Sequence, residues 1–268
     1  MAGTMPDVCA ETARWDPGLT RQISNWVGPA VRRYFRAEVR GMAAVPAEGG
    51  ALVVSNHSGG LLAPDVMVFA PAFYDHFGFG RPLAVPARDG MLAGPPGDIL
   101  RRAGVIPAGD RHVAHALCSG AVVLVFPGGD YDSYRPTSAA DTVEFGGRTG
   151  YVRAALEAGV PIVPVVSIGA QETQMFLARG DRLARRLGLG CVRMDVLPVS
   201  VGLPFGLSVV FPPNLPLPSK IVTRVLDPVD LAEFGADADV DEIDRHVRSV
   251  MQAALDELAR TRRFPVLG

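Results

Sequence analysis

The feature that most constrains the fold is an alternation of short apolar runs with segments of helical periodicity. Ala51-Leu52-Val53-Val54, Leu83-Ala84-Val85, Val105-Ile106, Ala121 to Phe126 and Ile162 to Val166 read as strands. They are apolar without polar alternation, as strands covered on both faces are. Between them Asp65 to Phe73, Asp110 to Cys118 and Tyr151 to Ala158 read as helices, the last with Gly159 placed to cap it. This order predicts an α/β fold: a mixed, largely parallel sheet flanked by helices. A late strand is expected over Ile221 to Leu226, after a Pro-rich loop from Pro212 to Pro218. The chain closes on an amphipathic helix with Ile243, Val247, Val250, Met251, Ala254, Leu255 and Leu258 on one face.

An amphipathic helix also opens the chain. Leu19, Ile23, Trp26, Val27, Ala30, Val31, Tyr34 and Phe35 recur at helical spacing, and Gly28-Pro29 predicts a kink or a split. No internal repeat or long linker divides the rest. The expected organisation is an N-terminal helical segment, 1–44, followed by one continuous domain, 45–268. With 48% hydrophobic residues a sizeable core can be buried, and a net charge of -2 gives no footprint for nucleic acid.

Cys9, Cys118 and Cys191 stand too far apart for a metal or redox motif, and so sparse a set fits a reducing compartment. Asp7, Glu11 and Asp16 do not suit a signal peptide, and no apolar run approaches the roughly 20 residues that span a bilayer. These features predict a cytoplasmic protein that meets lipid from the surface, on the inner face of the membrane. Two stretches suit that interface: Trp26, Val27 and Phe35 with Arg32, Arg33 and Arg36, and Met175 to Leu187 with Arg179, Arg182, Arg185 and Arg186.

Three places can carry chemistry. Asn56-His57-Ser58-Gly59-Gly60 follows directly on a buried strand, at the sheet edge where α/β folds bind ligands. Asp65 opens the next helix, and a carboxylate on one imidazole nitrogen leaves the other free as a base. A His making structural hydrogen bonds in a polar turn accounts for these residues equally well. Phe126-Pro127-Gly128-Gly129-Asp130 also ends a strand and can expose backbone N–H groups to an oxyanion; an ordinary turn is the plainer account. Gly104-Val105-Ile106-Pro107 leads to Arg111, which suits a phosphate or simply solvent. No Gly-x-Ser-x-Gly elbow and no zinc spacing occur.

Together and in this order, these pieces resemble the glycerolipid (lysophospholipid) acyltransferase superfamily. Asn56-His57 with Asp65 is similar to its first block, Gly104 to Pro107 with Arg111 to its second, Phe126-Pro127-Gly128-Gly129 to its third, and Val160-Pro161-Ile162-Val163-Pro164-Val165 to its fourth. The resemblance covers roughly residues 45 to 230. Two departures stand out. Seven residues separate His57 from Asp65 where the family usually has four, and Gly128 replaces the usual Glu of the third block. Phe-Pro-Gly-Gly, with Phe145-Gly146-Gly147-Arg148-Thr149-Gly150 downstream, looks more like the branch that acylates neutral alcohols, the diacylglycerol acyltransferases and their relatives.

The resemblance implies an enzyme that moves a fatty acyl group from acyl-CoA, or another carrier thioester, to the hydroxyl of a lipid. His57 would be the general base, Asp65 its orienting partner, and Arg111, Gly128, Gly129 and Arg148 the substrate-binding set. It implies no metal and no cofactor beyond the acyl-CoA co-substrate. The alternatives are a 1-acylglycerol-3-phosphate or lysophospholipid acyltransferase, a hydrolase using the same His, and a non-catalytic lipid-binding module.

Overall fold

A computed structural model describes residues 14–192, 195–209, 214–235, 239–262, 264 and 266. Cys9, Asp7, Glu11, Pro212 and Pro213 lie outside the described residues. The elements used below are, in chain order, α1 (Pro17–Tyr34), β1 (Glu38–Arg40), β2 (Ala51–Ser55), α2 (Pro64–Phe77), β3 (Leu83–Ala87), α3 (Gly94–Arg102), β4 (Val105–Pro107), α4 (Asp110–Cys118), β5 (Val122–Val125) and α5 (Gly129–Ser133). They continue as α6 (Gly150–Ala158), β6 (Ile162–Ile168), β7 (Met175–Ala178), α7 (Asp181–Arg186), β8 (Val199–Gly202), β9 (Gly206–Ser208), β10 (Val222–Val225) and α8 (Val240–Thr261).

Seven strands form one sheet in the order β1-β10-β6-β2-β5-β3-β4. The run from β6 to β4 is parallel, as the strand–helix alternation requires. β10 pairs antiparallel to β6. Between them the chain leaves the C-terminal end of β6, builds a separate antiparallel sheet β7-β8-β9, and returns at that same end, so β10 must run back down. β1 lies beside β10, so the sheet already begins at Glu38.

The uninterrupted apolar character of β2 follows from its place in the middle. Leu52 and Val54 pack with Val113, Leu117, Val152, Val247 and Leu255, under α4, α6 and α8. Ala51 and Val53 face the other way, onto Phe69, Phe73 and Tyr74 of α2. The sheet is mixed and largely parallel with helices on both faces, an α/β fold.

α1 lies outside α2 and is one continuous helix, without the split expected at Gly28-Pro29. Pro29 and Asn25, whose carbonyl loses its partner, are both exposed, so water can take the missing bond. Its buried stripe is Thr20, Ser24, Gly28 and Val31, small residues that let the two helices approach. Gly28 meets Pro71, where a Cβ would stand 3.1 Å from the Pro71 Cβ. The expected lipid-facing set on α1 does not hold together. Phe35 is buried with Val31 against Val68, Ala170 and Ile221, and Val27 packs on the same cluster. Arg32 pairs with Asp75, and Arg36 donates to the carbonyls of Pro218 and Val266. Trp26 is left standing out, 83% exposed.

Candidate active site

The site grows from the adjacency of β2 and β5. Val54 is in register with Val125, so the residues that follow each strand emerge side by side. His57 thereby meets Phe126, their ring centroids 4.4 Å apart and tilted by 31°. On the other side Asn56 is clamped to β6: its side-chain amide donates to the Ser167 carbonyl, and its oxygen accepts from the Ser167 N–H, both at 2.8 Å. The fourth block therefore supplies the strand whose far end anchors the His turn.

The long insert folds back as the His–Asp reading requires. Gly59 (φ +81), Gly60 (φ +66) and Ala63 (φ +43) all take left-handed backbone. A Cβ at Gly59 would collide with the Pro64 ring at 2.4 Å and stand 2.9 Å from the Ala170 carbonyl oxygen, so no side chain fits there. Pro64 starts α2, and Asp65 sits in its first turn, 3% exposed. Its Oδ2 lies 3.3 Å from His57 Nδ1 and accepts the Ser58 N–H at 2.6 Å. Oδ1 is buried with no hydrogen-bond partner among the described residues. A hydrogen on Nδ1 facing this carboxylate leaves Nε2 as the basic nitrogen.

Beneath His57 lies a buried ion pair that the sequence reading does not contain. Asp132 and Arg135 are 2.6 Å apart and both 0% exposed. Asp132 Oδ2 accepts the backbone N–H of His57 at 2.5 Å. Arg135 donates to the His57 carbonyl at 2.7 Å and to Ser58 Oγ at 2.9 Å. One carboxylate and one guanidinium thus hold both sides of the His57 backbone. Burial pushes the Asp132 carboxyl up to about 6, opposed by the Arg135 charge and by the His57 N–H. Gln171 closes the arrangement, donating to the Arg135 carbonyl at 2.5 Å and accepting from Gly59 at 3.1 Å. The one available signal was Asp132 and Arg135 at i,i+3 after a Gly-Gly turn, a spacing that also describes any solvated helical pair.

The Phe-Pro-Gly-Gly turn is tightly built. The Gly129 N–H donates to the Phe126 carbonyl at 2.9 Å, within the turn itself. Arg148 Nη1 donates to the Gly128 carbonyl at 2.5 Å, so Arg148 and the turn are brought together. At Gly128 a Cβ would stand 2.4 Å from the Glu144 carbonyl oxygen and 2.3 Å from the Asp132 Cβ. This backbone therefore has no room for the Glu usual in the third block. Arg111 lies farther out, exposed in the first turn of α4 beyond the edge strand β4. A cavity of about 340 Å³ between α1, α2 and β1 is lined by Arg32, Val39, Val68 and Asp75, and its lining includes neither His57 nor Asp65.

A family model described as Acyltransferase matches residues 36–168, a span containing every residue of this site except Gln171. An uncharacterized protein of Mycobacterium tuberculosis is 33% identical over 98% of this chain and 73% of its own length. The chain belongs to the acyltransferase family. A protein of Bos taurus named DGAT1/2-independent enzyme synthesizing storage lipids is 28% identical over 90% of this acyltransferase and 70% of its own length. The crystal structure of the 1-acyl-sn-glycerophosphate (LPA) acyltransferase PlsC from Thermotoga maritima shares the fold, with a TM-score of 0.56 over 89% of this chain and 79% of that one, at 19% identity. The chain is therefore an enzyme, an acyltransferase. The reading as a non-catalytic lipid-binding module is set aside. Among the described residues no helix is long and apolar enough to cross a membrane.

Proposed function

We propose that the enzyme transfers a fatty acyl group from acyl-CoA directly to the hydroxyl of a neutral lipid alcohol, working at the inner face of the membrane. His57 Nε2 removes the hydroxyl proton as that oxygen attacks the thioester carbonyl. The tetrahedral intermediate collapses, the C–S bond breaks, and the imidazolium returns the proton to the departing thiolate. The observation that carries this reading is the approach of Asp65 to His57 Nδ1 across an unusually long insert, on a turn pinned from below by Asp132 and Arg135. Backbone N–H groups at Gly128 and Gly129 face the developing oxyanion. Gly129 must loosen its bond to Phe126 to contribute, so Gly128 is the readier donor. General-base catalysis of this kind is typically worth about 10²–10⁴-fold.

The neutral acceptor is favoured by the charge around the turn. A phosphate dianion needs fixed positive partners when it leaves water. Arg148 is engaged with the Gly128 carbonyl, and Leu61 and Leu62, both exposed just after His57, offer apolar surface to an acceptor tail. Arg111 carries the second reading, a lysophosphatidate or glycerol-phosphate acceptor, because it is exposed and has no ion pair among the described residues.

His57→Ala should abolish transfer while the protein stays folded; more than a tenth of wild-type turnover in a folded variant removes His57 from the mechanism. Competition among diacylglycerol, a long-chain alcohol, lysophosphatidate and glycerol 3-phosphate for one acyl-CoA tests the acceptor. The highest kcat/KM on a phosphate acceptor, lost selectively in Arg111→Ala, would overturn the neutral reading.

A further inference from the structure

From Val196 to Ser219 the chain contains no Asp, Glu, Lys, Arg or His. A soluble surface ordinarily carries a quarter or more charged residues. The segment is not buried in compensation. Leu203, Leu207 and Leu215 are 69%, 68% and 67% exposed, and Phe205 and Leu217 also stand out. Its described residues are tied together by backbone hydrogen bonds. β8 and β9 form an antiparallel hairpin added to β7. The Leu215 N–H donates to the Leu203 carbonyl and the Leu217 N–H to the Thr173 carbonyl, both at 2.7 Å. Ser200, Asn214 and Val196 are buried underneath. Exposed apolar surface presented on a sheet in this way marks an interaction site.

Two neighbours say what the partner is. α7 starts against this lobe, since a Cβ at Gly180 would stand 1.8 Å from the Leu197 carbonyl oxygen. It carries exposed Arg182, Arg185 and Arg186 with Leu183 among them and exposed Leu187 just past its end, and Asp181 is its only acidic residue, paired to Arg185. Apolar tips beside a basic helix match the acyl layer and the anionic headgroups of a lipid surface. The lobe is also continuous with the site. Gly60, three residues after His57, packs on Phe176 of β7 and on Tyr134, with a Cβ there only 2.9 and 3.0 Å from their rings. Leu61 and Leu62, which follow Gly60 in the chain, and Met175 and Leu177, which flank Phe176, are all exposed.

We propose that the β7-β8-β9 lobe, and not α1, seats this enzyme on an anionic lipid surface, with Leu203, Phe205, Leu207 and Leu215 entering the acyl layer and the α7 arginines among the headgroups. Docked this way, the turn that carries His57 faces the layer in which a lipid alcohol resides. The proposal rests on the lipid-acceptor reading for its purpose, while the docking itself is measured apart from catalysis.

The test is flotation of the full chain with vesicles of phosphatidylcholine and phosphatidylglycerol, run beside acyl transfer to two acceptors, one embedded in the vesicles and one short-chain and water-soluble. The wild type should float. Leu203→Glu/Phe205→Glu/Leu207→Glu should lower the vesicle partition coefficient by on the order of 10²-fold. Transfer to the embedded acceptor should fall with it, while thermal stability and turnover of the soluble acceptor stay unchanged. Arg182→Glu/Arg186→Glu should remove the preference for phosphatidylglycerol. Should the triple variant not fold, Phe205→Trp gives a second readout: brominated lipid should quench it beyond the Trp15 and Trp26 baseline of the wild type. Failure of the wild type to float, equal flotation of the triple variant, or absence of that extra quenching overturns the proposal. A concentration-dependent wild-type dimer that the triple variant converts to monomer overturns it in favour of a second copy of this chain. Flotation with no acyl transfer to any acceptor leaves the docking standing and defeats the proposed reaction.

Discussion

Replacing Arg135 by Met keeps an unbranched apolar stem and removes the guanidinium with its charge, and the consequences can be worked from its partners. Arg135 is fully buried, bonded to Asp132 Oδ1 at 2.6 Å, the His57 carbonyl at 2.7 Å, Ser58 Oγ at 2.9 Å, and the Ala139 and Ala140 carbonyls at 3.1 and 2.9 Å. Removing one partner of a buried ion pair typically costs about 3–5 kcal/mol, because a charge is left unpaired. Measured against a total stability of roughly 5–15 kcal/mol, the variant folds in the cold but melts on the order of 10 °C lower. Asp132→Leu/Arg135→Met then separates two accounts. An isolated buried pair can be replaced by apolar residues with little loss. Here the double variant should remain well below wild type, because the His57 N–H and carbonyl, Ser58 Oγ and two further carbonyls stay without partners, each worth about 1–3 kcal/mol unless water reaches it. Denaturant titration gives stability, and initial rates on acyl-CoA give kcat and KM. The expected pattern is a kcat loss with little change in KM for the thioester. A double variant matching wild type in both midpoint and kcat would show that the pair neither stabilises nor positions the His57 turn.

Asp65→Asn retains an acceptor for the Ser58 N–H but loses the charge facing Nδ1, so kcat should fall about 10²-fold with thioester KM nearly constant; unchanged kcat would mean that another group orients the imidazole. Gly128→Ala puts a methyl 2.4 Å from the Glu144 carbonyl oxygen, and overpacking of this kind costs about 1–3 kcal/mol. A Gly128→Ala variant as stable and active as wild type would show that the turn has room after all. Burial raises Asp132 to about 6 from an unfolded value of 3.8, so the folded protein holds that proton more tightly. The stabilisation is full below the unfolded value and is lost as pH rises through about 6. Wild type should therefore lose stability relative to Asp132→Asn between about pH 4 and pH 6 in chemical denaturation, with little further change above, and parallel profiles would contradict the shift.

What the sequence alone determined was local and periodic. Runs such as Ala51 to Val54 and Ile162 to Val166 announce central strands because a strand covered on both faces has no polar positions left. The helices between them follow from spacing and capping, so the mixed, largely parallel sheet was legible before any coordinates. The strand at Glu38 and the exposed strands β7 to β9 were not. Glu38–Arg40 pairs only at the edge, and β7 to β9 turn leucines outward, which inverts the expected pattern. Gly28-Pro29 looked like a kink or a split, but Gly28 packs on Pro71 while Pro29 falls on the solvated side of α1. At the site, His57 and Asp65 were readable as a pair because they stand only eight positions apart in the chain, whereas their separation in space depended on three left-handed residues and a Pro that only the folded turn displays. Tertiary structure alone decided the rest. His57 and the Asp132–Arg135 pair lie far apart in the chain and meet because β2 and β5 are neighbours in register. Spacing along the chain carries no information about which strand ends stand side by side, and a buried charge pair reads in sequence like any solvated one.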